Sequence, residues 1–302
     1  SRISLQMTQF AVITGAGTGI GAALAVELHL RGYTIIGISP DFDMANMEPL
    51  TTQIGLIPIQ CDITDTFQVK DAATKVKMIS GGKIDILYNN AGICPLGGPL
   101  IDADDDLLKR IFEVNVLGHM HVTKYFSEMV INARGTIVFT SSVAGRVPLS
   151  WAGAYCATKA AIDQYALVLH GEMKPLGVRV HSVITGGVNT AIADHAEAPS
   201  LSRFYNTKDV EESLLACRDM SRNPRTSVAP AQYARDVCNK ICRKRDYGFN
   251  IYGGFAGYLL HLFRWYCPLW LVEYGVQRHF KQDRAFRSVQ HRRQQEESKR
   301  KL

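Results

Sequence analysis

The chain has 302 residues, 46% of them hydrophobic and 21% charged, enough apolar side chain to bury a full core as one large domain or two small ones. Its seven cysteines (Cys61, Cys94, Cys156, Cys217, Cys238, Cys242 and Cys267) include no CxxC pair and no Cys/His set at zinc spacing, which excludes a disulfide scaffold and gives no metal site. They read as reduced thiols of a cytosol-facing protein. Residues 278–302 carry nine Lys/Arg against Asp283, Glu296 and Glu297, which is the whole net charge of +6, so residues 1–277 balance to zero. No nucleic-acid reader motif accompanies that basic tail, so nucleic acid is not the expected partner.

The strand "FAVIT" begins at residue 10, so no secretory signal is expected. Further apolar runs follow as "TIIGI", "IGLIPIQC", "IDILYN", "GTIVFTSS", "VRVHSVI" and "GFNIYGG". Amphipathic stretches near 19–31, 65–79, 104–131, 153–174 and 230–244 separate them as helices. Continuous apolar strands alternating with helices predict an α/β fold, a doubly wound parallel sheet of Rossmann type with helices on both faces. No linker or repeat divides residues 8–253, which form one domain; residues 254–302 form a C-terminal extension.

The first crossover points to a ligand. "TGAGTGIG" follows "FAVI" and opens a helix, so Gly15, Gly19 and Gly21, with Ile20 between them, bring backbone close to a pyrophosphate at the helix's positive end. The second strand ends "GISPDFD". Its usual acidic position is Ser39, a neutral residue that favours NADP over NAD, yet Pro40 and Asp41 follow where an arginine would grip the extra phosphate. The expected cofactor is therefore NADP(H), with NAD(H) not excluded.

"YCATK" places Tyr155 and Lys159 one helical turn apart. A ketone receiving hydride needs a proton, and a tyrosine donates one readily. A nearby ammonium stabilises the phenolate, lowering a phenol pKa by roughly 1–3 units. Ser142, at the end of "GTIVFTSS", can hydrogen-bond the same carbonyl oxygen, with Ser141 beside it as the other candidate.

"TGAGTGIG", "CDIT", "NNAG", "EVNVLG", "SS" and "YCATK" stand in the order and spacing of the short-chain dehydrogenase/reductases, which residues 10–190 resemble. That resemblance selects Ser142 over Ser141 and implies that Ser142, Tyr155, Lys159 and Asn115 are catalytic. In the family the lysine also holds the nicotinamide ribose, and Asn115 supports a proton-relay water. Asn115 could instead bond its own backbone. The resemblance further implies cofactor contacts from Asp62, which otherwise forms a turn, from Asn89, and from Lys124, otherwise a solvated helix charge. Val188 and Thr190 of "TGGVNT" would meet the nicotinamide carboxamide, although Thr185-Gly186 replaces the usual Pro-Gly.

"LYNNAG", "GTIVFTSSVAG", "LHGEMKPLGVRV" and "ITGGVNTAIAD" are similar to a narrower group, the yeast NADPH-dependent 1-acyldihydroxyacetone-phosphate reductases. That likeness implies a lipid ketone as substrate and phosphatidic acid synthesis as the setting, with steroid or retinoid dehydrogenases as the alternative. Residues 191–229 are expected to be a loop over the substrate, with His195, Arg203, Lys208 or Arg146 available to a phosphate head. A cofactor-binding protein without turnover commonly loses one of the three central residues, and none is lost here. A lipid hydrolase would need GxSxG, which does not occur.

Residues 255–272 are mostly apolar but broken by His261, Arg264 and Pro268. They are short of the roughly 20 unbroken apolar residues that a spanning helix needs. Tyr258, Trp265, Tyr266, Trp270 and Tyr274, followed by basic residues, suit a helix lying on a membrane, on the cytosolic face of the endoplasmic reticulum or on a lipid droplet. The alternative is a helix packed on the body or against a second copy in a homo-oligomer.

Overall fold

The structure, a computed structural model, describes residues 8–95, 97–192, 199–243 and 248–300. Each of the seven apolar runs forms a strand: β1 (Gln9–Thr14), β2 (Tyr33–Ser39), β3 (Ile57–Gln60), β4 (Ile86–Asn89), β5 (Thr136–Thr140), β6 (Arg179–Thr185) and β7 (Asn250–Gly253). All pair in parallel, in the order β3-β2-β1-β4-β5-β6-β7. The order reverses between β1 and β4, which opens a crevice beyond their carboxyl ends, where open sheets of this kind bind ligands.

Successive strand residues face opposite layers. Val12 joins one apolar layer with helices α3 (Thr66–Ser80), α5 (His119–Ala133) and α6 (Gly153–Met173), represented by Val76, Phe126 and Ile162. Ala11 and Ile13 join the other, with α1 (Gly19–Leu30), α2 (Met44–Ile54) and α8 (Pro230–Ile241), represented by Leu24, Met47 and Tyr233. Both faces are thus covered, which is why the strands show no alternation of apolar and polar residues. Local chemistry sets the helix ends. The Asp65 carboxylate accepts from the Phe67 and Gln68 amides at the start of α3, and Gly81 ends it at φ +61°.

The expected helix over 104–131 is interrupted. Residues Asp105–Phe112 (α4) and α5 flank a π-helical turn at Glu113–Gly118, the "EVNVLG" stretch. Helix α2 has little sequence signal because Pro49 lies inside it and only Met47 and Leu50 are buried. The region read as a loop over 191–229 contains a helix, α7 (Lys208–Arg218), capped by Thr207 and burying Val210, Ser213, Leu214 and Cys217. The C-terminal segment is three helices rather than one: α9 (Gly257–Tyr266), α10 (Leu269–His279) and α11 (Gln282–Arg300). Pro268 cannot continue the first and caps the second. No helix among the described residues is long and apolar enough to cross a membrane.

These C-terminal helices pack on the body. Val272, Val276, Phe280 and Ala285 share an apolar cluster with Val147, Leu149 and Trp151 from the loop after β5, and with Val210 and Leu214 of α7. Trp151 is the joint. Its indole donates to Ser213 Oγ at 2.8 Å, Ser213 donates to the Phe280 carbonyl at 2.7 Å, and its ring lies 5.5 Å from Phe286 and 6.0 Å from Tyr205. Trp151→Ala is expected to lower stability by about 3–5 kcal/mol, as buried aromatic truncations do. Urea unfolding measures this, and a loss below about 1 kcal/mol would show that the extension is not coupled to the body.

Candidate active site

The crevice edge is organised by the end of β5 and the first turns of α6. Lys159, 3% exposed, donates to the Thr140 carbonyl at 2.8 Å. Its ammonium lies 5.5 Å from the centre of the Tyr155 ring. Ser142, two residues beyond β5, hydrogen-bonds the Tyr155 hydroxyl and accepts from the Ala144 amide at 3.1 Å. Gly145 lets this loop lie directly on α6: a Cβ there would stand 2.9 Å from the Lys159 carbonyl carbon. Ser141, by contrast, is buried at the strand end with no partner for its hydroxyl among the described residues, so the residue brought to Tyr155 is Ser142.

Asn115 occupies the π-helical turn, a form of helix that recurs at functional sites. It bonds across the crevice rather than to its own backbone. Its amide donates to the Ile93 carbonyl at 2.9 Å and to Thr158 Oγ1 at 3.2 Å, and its oxygen accepts the Ile93 amide at 2.9 Å. It also lies beside Lys159, because a Cβ on Gly92 would come 3.2 Å from Asn115 Oδ1 and 3.7 Å from Lys159 Nζ.

Burial decides the protonation states. It pushes the Tyr155 phenol well above its ordinary value, and the Ser142 hydrogen bond pulls the other way without reversing it. The lowering expected from Lys159 is not among the larger influences on this phenol, and burial holds Tyr155 as the acid. Burial also brings Lys159 down to about 8, so it stays mostly charged at neutral pH. His119, one turn beyond Asn115, bonds the Ala91 carbonyl at 2.6 Å and is lowered to about 3, first by burial and then by Lys159, so it is neutral. Burial raises the Cys94 thiol to about 12.

The remaining candidates divide. The turn carrying Gly15, Gly19, Ile20 and Gly21 lies beyond β1, with Gly15 at φ +65°. A Cβ on Gly21 would collide with the Gly15 carbonyl, so the tight turn requires glycine there. Thr190 reaches across to it, its methyl 3.4 Å from the Cβ position of Gly19, while buried Val188 lines the same side. Asn89 is fully buried and donates to Thr123 at 3.2 Å, an internal brace of β4, and its neighbour Asn90 donates to the Thr14 and Gly15 carbonyls at 3.1 and 3.2 Å. The backbone of the turn, the buried Ser39 hydroxyl, which has no partner among the described residues, and the Tyr155–Lys159 pair suit a dinucleotide lying across β1 and β4.

Asp62 forms a turn, its Oδ1 accepting from the Thr64 amide and hydroxyl at 2.9 and 2.8 Å. Lys124 is not brought to the site; exposed on α5, it lies over the Tyr125 ring. Nor is Arg146, which pairs with Asp163 at 2.9 Å and reaches Asn250. Arg203 is exposed and stacks on Phe204, Lys208 is exposed at the start of α7, and His195 lies outside the described residues. Sequence reasoning missed Thr140, Gly145 and His119. Thr140 acts through a backbone carbonyl that any residue possesses, so no side-chain signal marks it.

Beside Tyr155 a narrow crevice runs between Pro95, residues 97–108 and the start of α6. Among the described residues its walls are apolar, with Leu100, Leu107, Leu108 and Ala152, and carry no charged side chain.

The family model described as "short chain dehydrogenase" matches residues 9–200. A relative from Saccharomyces cerevisiae named NADPH-dependent 1-acyldihydroxyacetone phosphate reductase is 36% identical over 290 residues, covering 94% of this chain and 95% of its own. Mouse estradiol 17-beta-dehydrogenase 2 is 30% identical over 289 residues, covering 89% and 74%. Among solved structures, a short chain dehydrogenase/reductase from Burkholderia phymatum in complex with NAD superposes with TM-score 0.70 at 25% identity, covering 81% and 88%. With this sheet order, this crevice and these matches, the chain belongs to the short-chain dehydrogenase/reductase family of oxidoreductases.

Proposed function

We propose that the protein reduces a lipid ketone, most specifically 1-acyl-dihydroxyacetone phosphate to 1-acyl-glycerol 3-phosphate, a step of glycerolipid synthesis. The observation that carries the reading is the buried Lys159 ammonium 5.5 Å from the ring of a Tyr155 that also meets Ser142. The glycine turn and Lys159 would hold a reduced nicotinamide dinucleotide, which when bound would supply the hydride that the carbonyl carbon receives. Tyr155, protonated through burial, gives its proton to the carbonyl oxygen. Ser142 takes the Ala144 amide on its oxygen and so keeps its own O–H to donate to the substrate. Lys159, held by the Thr140 carbonyl, stabilises the phenolate left behind, and in this reading it would also hold the nicotinamide ribose. Asn115 fixes Ile93 beside Lys159, where a relay water can return a proton to Tyr155.

The apolar crevice beside Tyr155 supports an acyl chain or another apolar body as the bulk of the substrate. The yeast relative's name supports the acyl ketone. The mouse relative's name supports a second reading, a steroid alcohol or ketone in the same crevice. Consumption of reduced cofactor should accompany 1-acyl-dihydroxyacetone phosphate, and Tyr155→Phe should cost about 10²–10⁴-fold in kcat, the usual contribution of a positioned acid. Turnover of estrone with none of the acyl ketone would establish the second reading. Equal rates for the wild type and Tyr155→Phe across both substrates would leave a cofactor-binding protein.

A lipid substrate fits the outward face of α9 and α10. While Val272 and Val276 are buried on the body, Trp265, Tyr266 and Trp270 stand 69%, 83% and 67% exposed, with Leu259, Leu269 and Tyr274 around them. Aromatic residues rimmed by exposed Arg264, Arg278 and Lys281 suit the interface of an anionic membrane, and this supports the reading of a protein docked on the cytosolic face of the endoplasmic reticulum or on a lipid droplet. The protein should co-sediment with phosphatidylcholine vesicles containing phosphatidylserine and less with phosphatidylcholine alone. Trp265→Ser with Trp270→Ser should abolish co-sedimentation while preserving turnover of a water-soluble ketone. Absence of sedimentation, or a homodimer dispersed by the same substitutions, would contradict membrane docking.

A further inference from the structure

Tyr155, Lys159 and Asp163 follow one another at four-residue spacing, so α6 carries an acid, a cation and an anion down one face. Asp163 is 7% exposed, and its carboxylate is held from two other elements. Ser182 of β6 donates to Oδ1, and Arg146 Nε, from the loop after β5, donates to Oδ2 at 2.9 Å. The same guanidinium reaches Asn250 Oδ1 of β7 at 3.4 Å. Arg146 follows Gly145, the residue that lets this loop lie on α6 at Lys159. One carboxylate thus joins α6, β6 and the loop that carries Ser142. A buried ion pair adds little net stability over well-packed apolar residues of similar volume, so stability is a weak reason for this one.

The other titratable groups that face Lys159 among the described residues are uncharged near neutrality. Burial raises both Tyr155, on the same helix, and Cys94, from the segment after β4, the thiol to about 12. His119 of α5 is lowered to about 3. Asp163, by contrast, raises Lys159 against the burial that brings it down. Around the ion pair, His261 of α9 is held below its ordinary value by burial and then by Arg146, and Tyr252 of β7 is raised by burial, so both are neutral as well.

Resting on the reading of this protein as a nicotinamide-dependent reductase, we propose that Asp163 is a positioning residue for the reaction. Its fixed negative charge, one helical turn from Lys159, holds that lysine as an ammonium while Tyr155 gives up its proton.

The alkaline limb of kcat, measured on the full chain with NADPH and a water-soluble ketone, reads the loss of the Lys159 proton and should fall near pH 8 in the wild type. Asp163→Asn keeps the shape and should move that limb down by about one pH unit, the low end for a neighbouring charge because Arg146 offsets part of it. Arg146→Met leaves the carboxylate unopposed and should move the limb up. Each variant leaves a buried charge without its partner, so both should lower the melting temperature. A merely structural pair would lower both melting temperatures and leave both limbs in place, which would overturn the proposal, as would limbs that move the same way. If Asp163→Asn does not fold, the double variant, which removes both charges, should show a limb below that of Arg146→Met alone; an equal or higher limb would also overturn the proposal. A wild type that turns over no ketone would reject the reductase reading instead. NMR titration of Lys159 in the cofactor-free proteins then reads the charge by itself: its midpoint should rise from Asp163→Asn through the wild type to Arg146→Met, and any other order overturns the proposal.

Discussion

A charged lysine is held inside the protein by one backbone carbonyl, and the site is built around it. Lys159 is nearly inaccessible, its ammonium donates to the Thr140 oxygen, and burial brings its pKa down to about 8. An ammonium in that environment acts through little intervening water, so its influence on a phenolate is much larger than at a surface. The same burial raises the resting phenol of Tyr155. Acid and cation are therefore both prepared before a substrate arrives, in the protonation states that reduction of a ketone requires.

The rest of the fold delivers these groups to one place. The parallel sheet ends its strands along one edge, where Asn90 links two connections, accepting from Thr140 Oγ1 at 3.1 Å and donating to the Thr14 and Gly15 carbonyls of the glycine turn. Glycine at 145 allows the loop after β5 to touch α6 at Lys159. The π-helical turn aims Asn115 at Ile93 instead of leaving it to its own helix. The C-terminal helices pack on the loop beyond Ser142 and on α7, while Trp265, Tyr266 and Trp270 point outward.

The sheet is legible in the sequence because its strands are buried on both faces, and continuous apolar runs of strand length, bounded by turns and alternating with helices, fit little besides a parallel sheet. The pairs Tyr155 and Lys159, and Gly15 and Gly19, are legible because the fold repeats their spacing. Less visible are the features that depend on contact. Helix α2 hides behind Pro49, and α7 shows a stripe of Val210, Leu214 and Cys217 too short to stand out among polar neighbours. The state of Tyr155 differs from the expectation because the sequence reveals the neighbouring charge but not the depth of burial that governs this phenol. Lys124 and Arg146 read as cations near the site, yet only the folded chain shows one stacked on Tyr125 and the other tied to Asp163.

The central claim concerns one ammonium. A titration of the Lys159 side chain by NMR in the cofactor-free protein, assigned by comparison with Lys159→Arg, reads its pKa directly. The account predicts a midpoint near 8. A midpoint near 10.4, that of a solvated lysine, would mean that the group is not buried against Thr140 and that the proposed acid stands without its cation.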